Sequence, residues 1–274
     1  MRILLQRLFV FALVVIVCFN CSPKQKASDI VNPNDTTSTA YIPPQTVFVS
    51  VPITGNVITT SSVRASWRGS KDVQSFSYKL DNFEWTSFST DTFLVIEDLD
   101  EGNHLFSVRS KHANGTIEAS PKIASFVVDA VKGPAVMFGP RKKEVTVGQD
   151  FTYSINVEEV QNILGMKATL LYDRQLVTIS SIDIGSFAST NNVKPALFES
   201  IDNVNGDARI DLLFSGGAPK KGIAGSGQVI TLNCKANVKG TAYFIFNQDS
   251  TWYRDTTNTT VFLNGFIGGK VVVK

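Results

Sequence analysis

Four carboxylates in the C-terminal half of the chain, Glu158, Glu159, Asp202 and Asp207, are of the type that pairs for acid–base hydrolysis of a glycosidic bond. That chemistry needs two carboxyl groups about 5–10 Å apart, a condition that spacing along a chain does not supply. Asn203-Val-Asn-Gly-Asp207 places amides and an acid at positions 1, 3 and 5 of a twelve-residue calcium-loop pattern. Its sixth position is Ala208 instead of glycine and its twelfth is Phe214 instead of the bidentate acid, so a hairpin turn is expected there. The two histidines, His104 and His112, have no nucleophile–acid pair around them and read as solvated or edge side chains. No Gly-x-Ser-x-Gly, zinc motif or phosphate loop is present. The expectation is therefore a protein without catalysis, metal or cofactor.

The elements that carry these residues are strands. Between residues 134 and 274, Phe151–Val157, Leu164–Tyr172, Val177–Ile182, Ala208–Phe214, Val229–Ala236, Ala242–Phe246, Val261–Leu263 and Lys270–Val273 have strand signatures, and no helical period persists for three turns. Some nine strands in about 140 residues predict a β-sandwich or jelly roll. Cys234 is in phase with Ile230, Leu232 and Ala236, so it is expected in the core as a small hydrophobe. Trp252 and Tyr253 are adjacent, and on a strand one of them must face outward.

The order of motifs in this unit is more specific than the strand count. Val145-Thr-Val-Gly-Gln-Asp-Phe151 is followed by Gly165-Met-Lys-Ala-Thr-Leu-Leu-Tyr-Asp173, then Gly222-Ile-Ala-Gly-Ser-Gly227, then a closing Leu263-Asn-Gly-Phe-Ile-Gly-Gly-Lys-Val-Val-Val273. This succession resembles the cohesin domain and its relatives among carbohydrate-binding modules. The resemblance implies a nine-stranded jelly roll that either docks a dockerin-like protein on a flat sheet face or binds polysaccharide on exposed aromatics. The matching residues are scaffold, so it carries over no contact residue; Trp252, Tyr253 and Trp85 are the candidates for ligand contact. A row of outward aromatics would point to glycan, and a flat mixed polar and apolar face to protein.

Residues 46–131 read as a smaller sandwich of seven short strands: Val47–Val51, Val63–Trp67, Phe76–Leu80, Glu84–Phe88, Phe93–Ile96, His104–Arg109 and Ile123–Val128. Asp81-Asn82 is a hairpin signal, and Trp67, in phase with Val63 and Ala65, belongs to the core. Tyr78, Asp81-Asn82, Trp85 and Leu99-Asp-Glu-Gly-Asn-His-Leu-Phe-Ser-Val-Arg109 resemble an immunoglobulin-like or fibronectin type III module of bacterial surface proteins, which implies a fold and the role of a spacer. The fold class expected for the whole chain is all-β, two tandem sandwiches.

Arg2 and Arg7 precede an apolar run from Leu8 to Val17, too short for the about 20 residues that span a bilayer, and the chain turns polar at Ser22. With Cys21 at the break, residues 1–20 resemble a lipoprotein signal peptide, which implies that the Cys21 thiol is acylated and holds the protein to the membrane. Asn20 and Cys18 depart from the usual residues one and three before that cysteine. Residues 21–45, poor in large apolar side chains, then form a tether reaching at most about 80 Å. The implied location is the bacterial cell envelope, with Ser22 leaning toward the outer membrane. Loss of residues 1–20 lowers the 26 basic residues to 24 against 24 acidic ones, and a neutral chain argues against nucleic acid as partner. The one basic cluster, Arg141-Lys-Lys143, reads as a solvated turn between the units.

Overall fold

The computed structural model describes residues 35–52, 55–192, 194–215 and 222–274. The expected signal peptide at 1–20, Cys21 and the first part of the expected tether lie outside the described residues. Among the described residues the secondary structure is strand with short 3-10 turns, and no helix is long and apolar enough to cross a membrane.

The first seven strands are β1 (Thr46–Ser50), β2 (Val57–Ile58), β3 (Val63–Gly69), β4 (Val73–Leu80), β5 (Phe93–Ile96), β6 (Gly102–His112) and β7 (Lys122–Val128). They form one sheet in the order β1-β3-β5 and another in the order β2-β7-β6-β4. Alternation along each strand turns Ala65, Trp67, Phe76, Phe106, Val108 and Phe126 into the space between the sheets, where they make one apolar cluster. Glu84–Phe88 is not a strand. The segment runs beside β4 and is held there by Thr86 N donating to Tyr78 O and Ser89 N to Phe76 O, at 3.0 and 2.9 Å. The histidines are buried and not solvated: His104 is clamped between Asp81 Oδ2 (2.8 Å) and Asp100 O (2.9 Å), and His112 packs edge-on to Tyr41. Tyr41 and the buried Pro44 bring the end of the tether against this unit.

Twelve further strands form a single connected sheet system: β8 (Ala135–Gly139), β9 (Lys142–Val145), β10 (Asp150–Tyr172), β11 (Val177–Ile184), β12 (Lys194–Asp202), β13 (Asp207–Ser215), β14 (Ile223–Ala236), β15 (Gly240–Phe246), β16 (Trp252–Asp255), β17 (Thr260–Val261), β18 (Gly265–Ile267) and β19 (Gly269–Val273). The count exceeds nine because short pieces such as β9, β17 and β18 pair separately. The expected strands 151–157 and 164–172 are one strand of 23 residues. At about 3.3 Å per residue it would be about 75 Å long if straight, so it has to bend. It does so at two register shifts between Val157 and Ile163, where Glu159 and Asn162 take φ of 48° and 53°. Its first half pairs with β14 and β8, its second with β13, β15 and β16. One strand therefore serves both layers of the sandwich and ties them together.

The glycine motifs have local causes. The Phe187 ring, on the 3-10 turn after β11, lies so close to Gly227 that a methyl there would sit 2.5 Å from the ring. A methyl at Gly269 would overlap the Tyr153 hydroxyl and sit 2.8 Å from Phe138 Cβ, so only glycine lets β19 pass there. Cys234 faces the core and is buried, and burial pushes its thiol up to about 12.

Candidate functional site

The outward side of β12, β13, the second half of β10, and β15 with β16 is one continuous sheet face. Register fixes what stands next to what. Phe198 lies opposite Asp211, Asp211 opposite Lys167, and Lys167 opposite Trp252, a row crossing four strands. The neighbouring row reads Ala196, Leu213, Gly165, Arg254. At the far end Asp207 stands opposite Leu171, and Leu171 opposite Ile245. Phe198 is 62 % exposed, Leu213 and Ile245 50 %, while Met166, Ala168, Leu170, Ile210 and Leu212 on the same strands point the other way into the core. The face thus interleaves large apolar side chains with charges of both signs, on an uninterrupted β surface.

Trp252 is half-buried on this face, with the Arg254 guanidinium 4.9 Å from its ring centre. Tyr253 is not on it. Its ring is fully buried and its hydroxyl donates to Ala135 O at 3.3 Å, so it has no free face for a sugar. Trp85 lies in the other unit, stacked on Arg109. The three aromatics singled out in the sequence therefore form no common row.

Glu158 and Asp202 serve the framework. Ser226 Oγ donates to Glu158 Oε1 (2.7 Å) and accepts from Glu159 N (2.9 Å), closing the bend of β10 against β14. Burial raises the Glu158 carboxyl above its ordinary range, with the Ser226 hydrogen bond opposing it. Asp202 caps the hairpin between β12 and β13 by accepting from Val204 N and Asn205 N. Asn203 turns inward: its Oδ1 accepts from Tyr172 OH (2.7 Å) and Ile179 N (3.0 Å), and its Nδ2 donates to Ile179 O (2.9 Å). A side chain spent in this way pins a hairpin to β11, as the turn reading of 203–207 requires. Among the described residues no cluster of three potential metal ligands occurs.

Residues 139–273 match the family model of the cohesin domain. Cohesin domains are non-catalytic protein-docking modules, in keeping with carboxylates that cap a hairpin and close a bend. Among solved structures, a non-cellulosomal cohesin from the archaeon Archaeoglobus fulgidus is 14 % identical over 51 % of this chain and 90 % of that one, at a TM-score of 0.42. A cohesin in a type I cohesin–dockerin complex from Clostridium thermocellum is 14 % identical over 51 % and 98 %, at 0.43. The sixth cohesin of scaffoldin B from Acetivibrio cellulolyticus, in complex with a Cel5 dockerin mutant, is 17 % identical over 52 % and 100 %, at 0.44. No curated protein matched the chain. The cohesin match covers the whole of the mixed face, from the bend of β10 to the end of β19.

The second unit meets the first one through charge. The expected solvated turn at 141–143 is instead anchored: Arg141 N donates to Asp100 Oδ1 (2.6 Å) and its guanidinium to Glu101 Oε1 (2.8 Å). Glu101 Oε2 accepts from Ala130 N at 2.8 Å, and Lys270 pairs with Asp98 at 2.6 Å. Sequence reading missed this joint because its partners are 40 or more residues apart, and the only signal was an acidic run, Asp98 to Glu101, and a basic one at Arg141 to Lys143.

Proposed function

We propose that this protein is a lipid-anchored envelope protein whose cohesin unit docks a dockerin-like protein, with the immunoglobulin-like unit as the spacer that lifts it from the membrane. The mixed face of β12, β13, β10, β15 and β16 carries the proposal. Its apolar members, Phe198, Leu213, Leu171 and Ile245, offer area that gains free energy on burial, and Asp211, Lys167 and Arg254 between them offer register and selectivity. An open β surface of this kind suits helices laid across it better than a sugar chain, which is gripped by aromatic planes in a row. Acylation of Cys21, with residues 22–40 as leash, would leave that face free to search the space above the bilayer.

The test is a pull-down from envelope and secreted fractions with residues 22–274 as bait. A discrete protein retained by the wild type and lost both on calcium chelation and in Leu213→Asp supports the reading. Retention of polysaccharide alone on the same face overturns it.

A further inference from the structure

The outer face of β4 and β6, on the first unit, gathers three cations and two aromatic rings. The Arg109 guanidinium lies 4.2 Å from the centre of the Trp85 ring and 5.4 Å from that of Phe88. Lys79 Nζ is 5.4 Å from the Trp85 ring and Lys111 Nζ 5.0 Å from the Phe88 ring. Register produces the cluster: Arg109 and Lys111 alternate on β6, and Ser77, opposite Arg109, is two positions from Lys79 on β4. The two rings arrive on the segment after β4, where Ser77 Oγ donates to Thr86 O at 2.8 Å.

Among the described residues no carboxylate pairs with Lys79, Arg109 or Lys111, not even Glu84 beside Trp85. Arg109 Nε is moreover buried without a hydrogen-bond partner. Stacking on ring faces holds each cation in place at a gain of about 0.5–1 kcal/mol but leaves its charge uncompensated. The face therefore gathers positive charge on two paired strands, with the half-buried Trp85 and Phe88 rings stacked on the cations. Half-buried rings held in stacks with Arg109, Lys79 and Lys111 are not free to insert into the acyl boundary of a membrane, whereas a polymer can lie along their exposed parts.

We infer that this face binds an acidic polysaccharide, the cations meeting its carboxylates and the exposed parts of Trp85 and Phe88 its sugar rings. The inference is independent of protein docking on the cohesin unit. It is tested by affinity electrophoresis of residues 22–274 in polygalacturonate, in neutral dextran, and by co-sedimentation with phosphatidylglycerol vesicles. The expected result is retardation by polygalacturonate alone, weakened by salt, and reduced roughly fivefold or more in Lys79→Gln/Lys111→Gln. Arg109→Lys, which keeps the charge and loses the planar stack, is expected to weaken retardation too. Thermal melts of both variants verify that they fold. No retardation by polygalacturonate, equal retardation of the folded double variant, or preference for the vesicles would each overturn the inference.

Discussion

Arg141 and Glu101, 40 residues apart, meet at 2.8 Å with side chains only 13 % and 15 % exposed. Glu101 is also the acceptor for Ala130 N and Val131 N, so one carboxylate ties the end of the first unit, the connecting backbone and the start of the second. Removing one partner of a buried pair leaves the other charge desolvated and alone. Glu101→Ala should therefore cost about 3 kcal/mol in urea unfolding. It should also broaden the distance distribution in small-angle scattering, because only Arg141 N on Asp100 and Lys270 on Asp98 would then be left of the charged joint. An unchanged scattering profile would assign the joint to other contacts.

Leu213 is exposed at the centre of the mixed face, so Leu213→Asp should alter stability by no more than about 0.5 kcal/mol. Partner capture should fall at least about tenfold, since a charge would enter the desolvated middle of the contact. Calorimetry and the pull-down together read both halves of this prediction.

Gly269→Ala should destabilise by about 2–3 kcal/mol, since a methyl would overlap the buried Tyr153 hydroxyl and crowd Phe138. That hydroxyl has no hydrogen-bond partner. Tyr153→Phe alone should thus be neutral or stabilising, and in the Gly269→Ala background it should recover part of the loss. A double-mutant cycle measured by denaturant unfolding reports the coupling.

Alkaline pH should unfold the protein partly through Cys234 and Tyr172, both pushed up to about 12, chiefly by burial, from ordinary values of 9.0 and 10.0. The unfolded chain releases these protons first, so the stability is fully present below about pH 9 and is lost as pH rises toward 12. Cys234→Ala is expected to be less stable at pH 8, from the cavity, yet to show a shallower decline between pH 9 and 12. Unfolding free energies measured across that range check the slope. Alkylation of the Cys234 thiol should track global unfolding.

The period-two alternation made the all-β class and many inward positions legible, Trp67 and Cys234 among them, because which side of a strand a residue takes is a local property. The Val-Gly, Gly-Ser-Gly and Gly-Gly motifs were legible for the same reason, although what each glycine admits, Phe187 over Gly227 or Tyr153 against Gly269, depends on a distant ring. Adjacent Trp252 and Tyr253 had to face opposite ways on a strand, but the choice of Tyr253 for the core came from where β16 packs.

The bend of β10 carries no glycine or proline between Val157 and Ile163, so the sequence read there as a gap between two strands. Polarity alone left His104 and Arg141 at the surface, whereas the fold brought acceptors to both. The sequence by itself thus determined strands and their inward sides. Only the tertiary structure decided the row Phe198, Asp211, Lys167, Trp252 and the joint at Arg141, because register between strands depends on pairing far along the chain, and alternation within one strand says nothing of its neighbour.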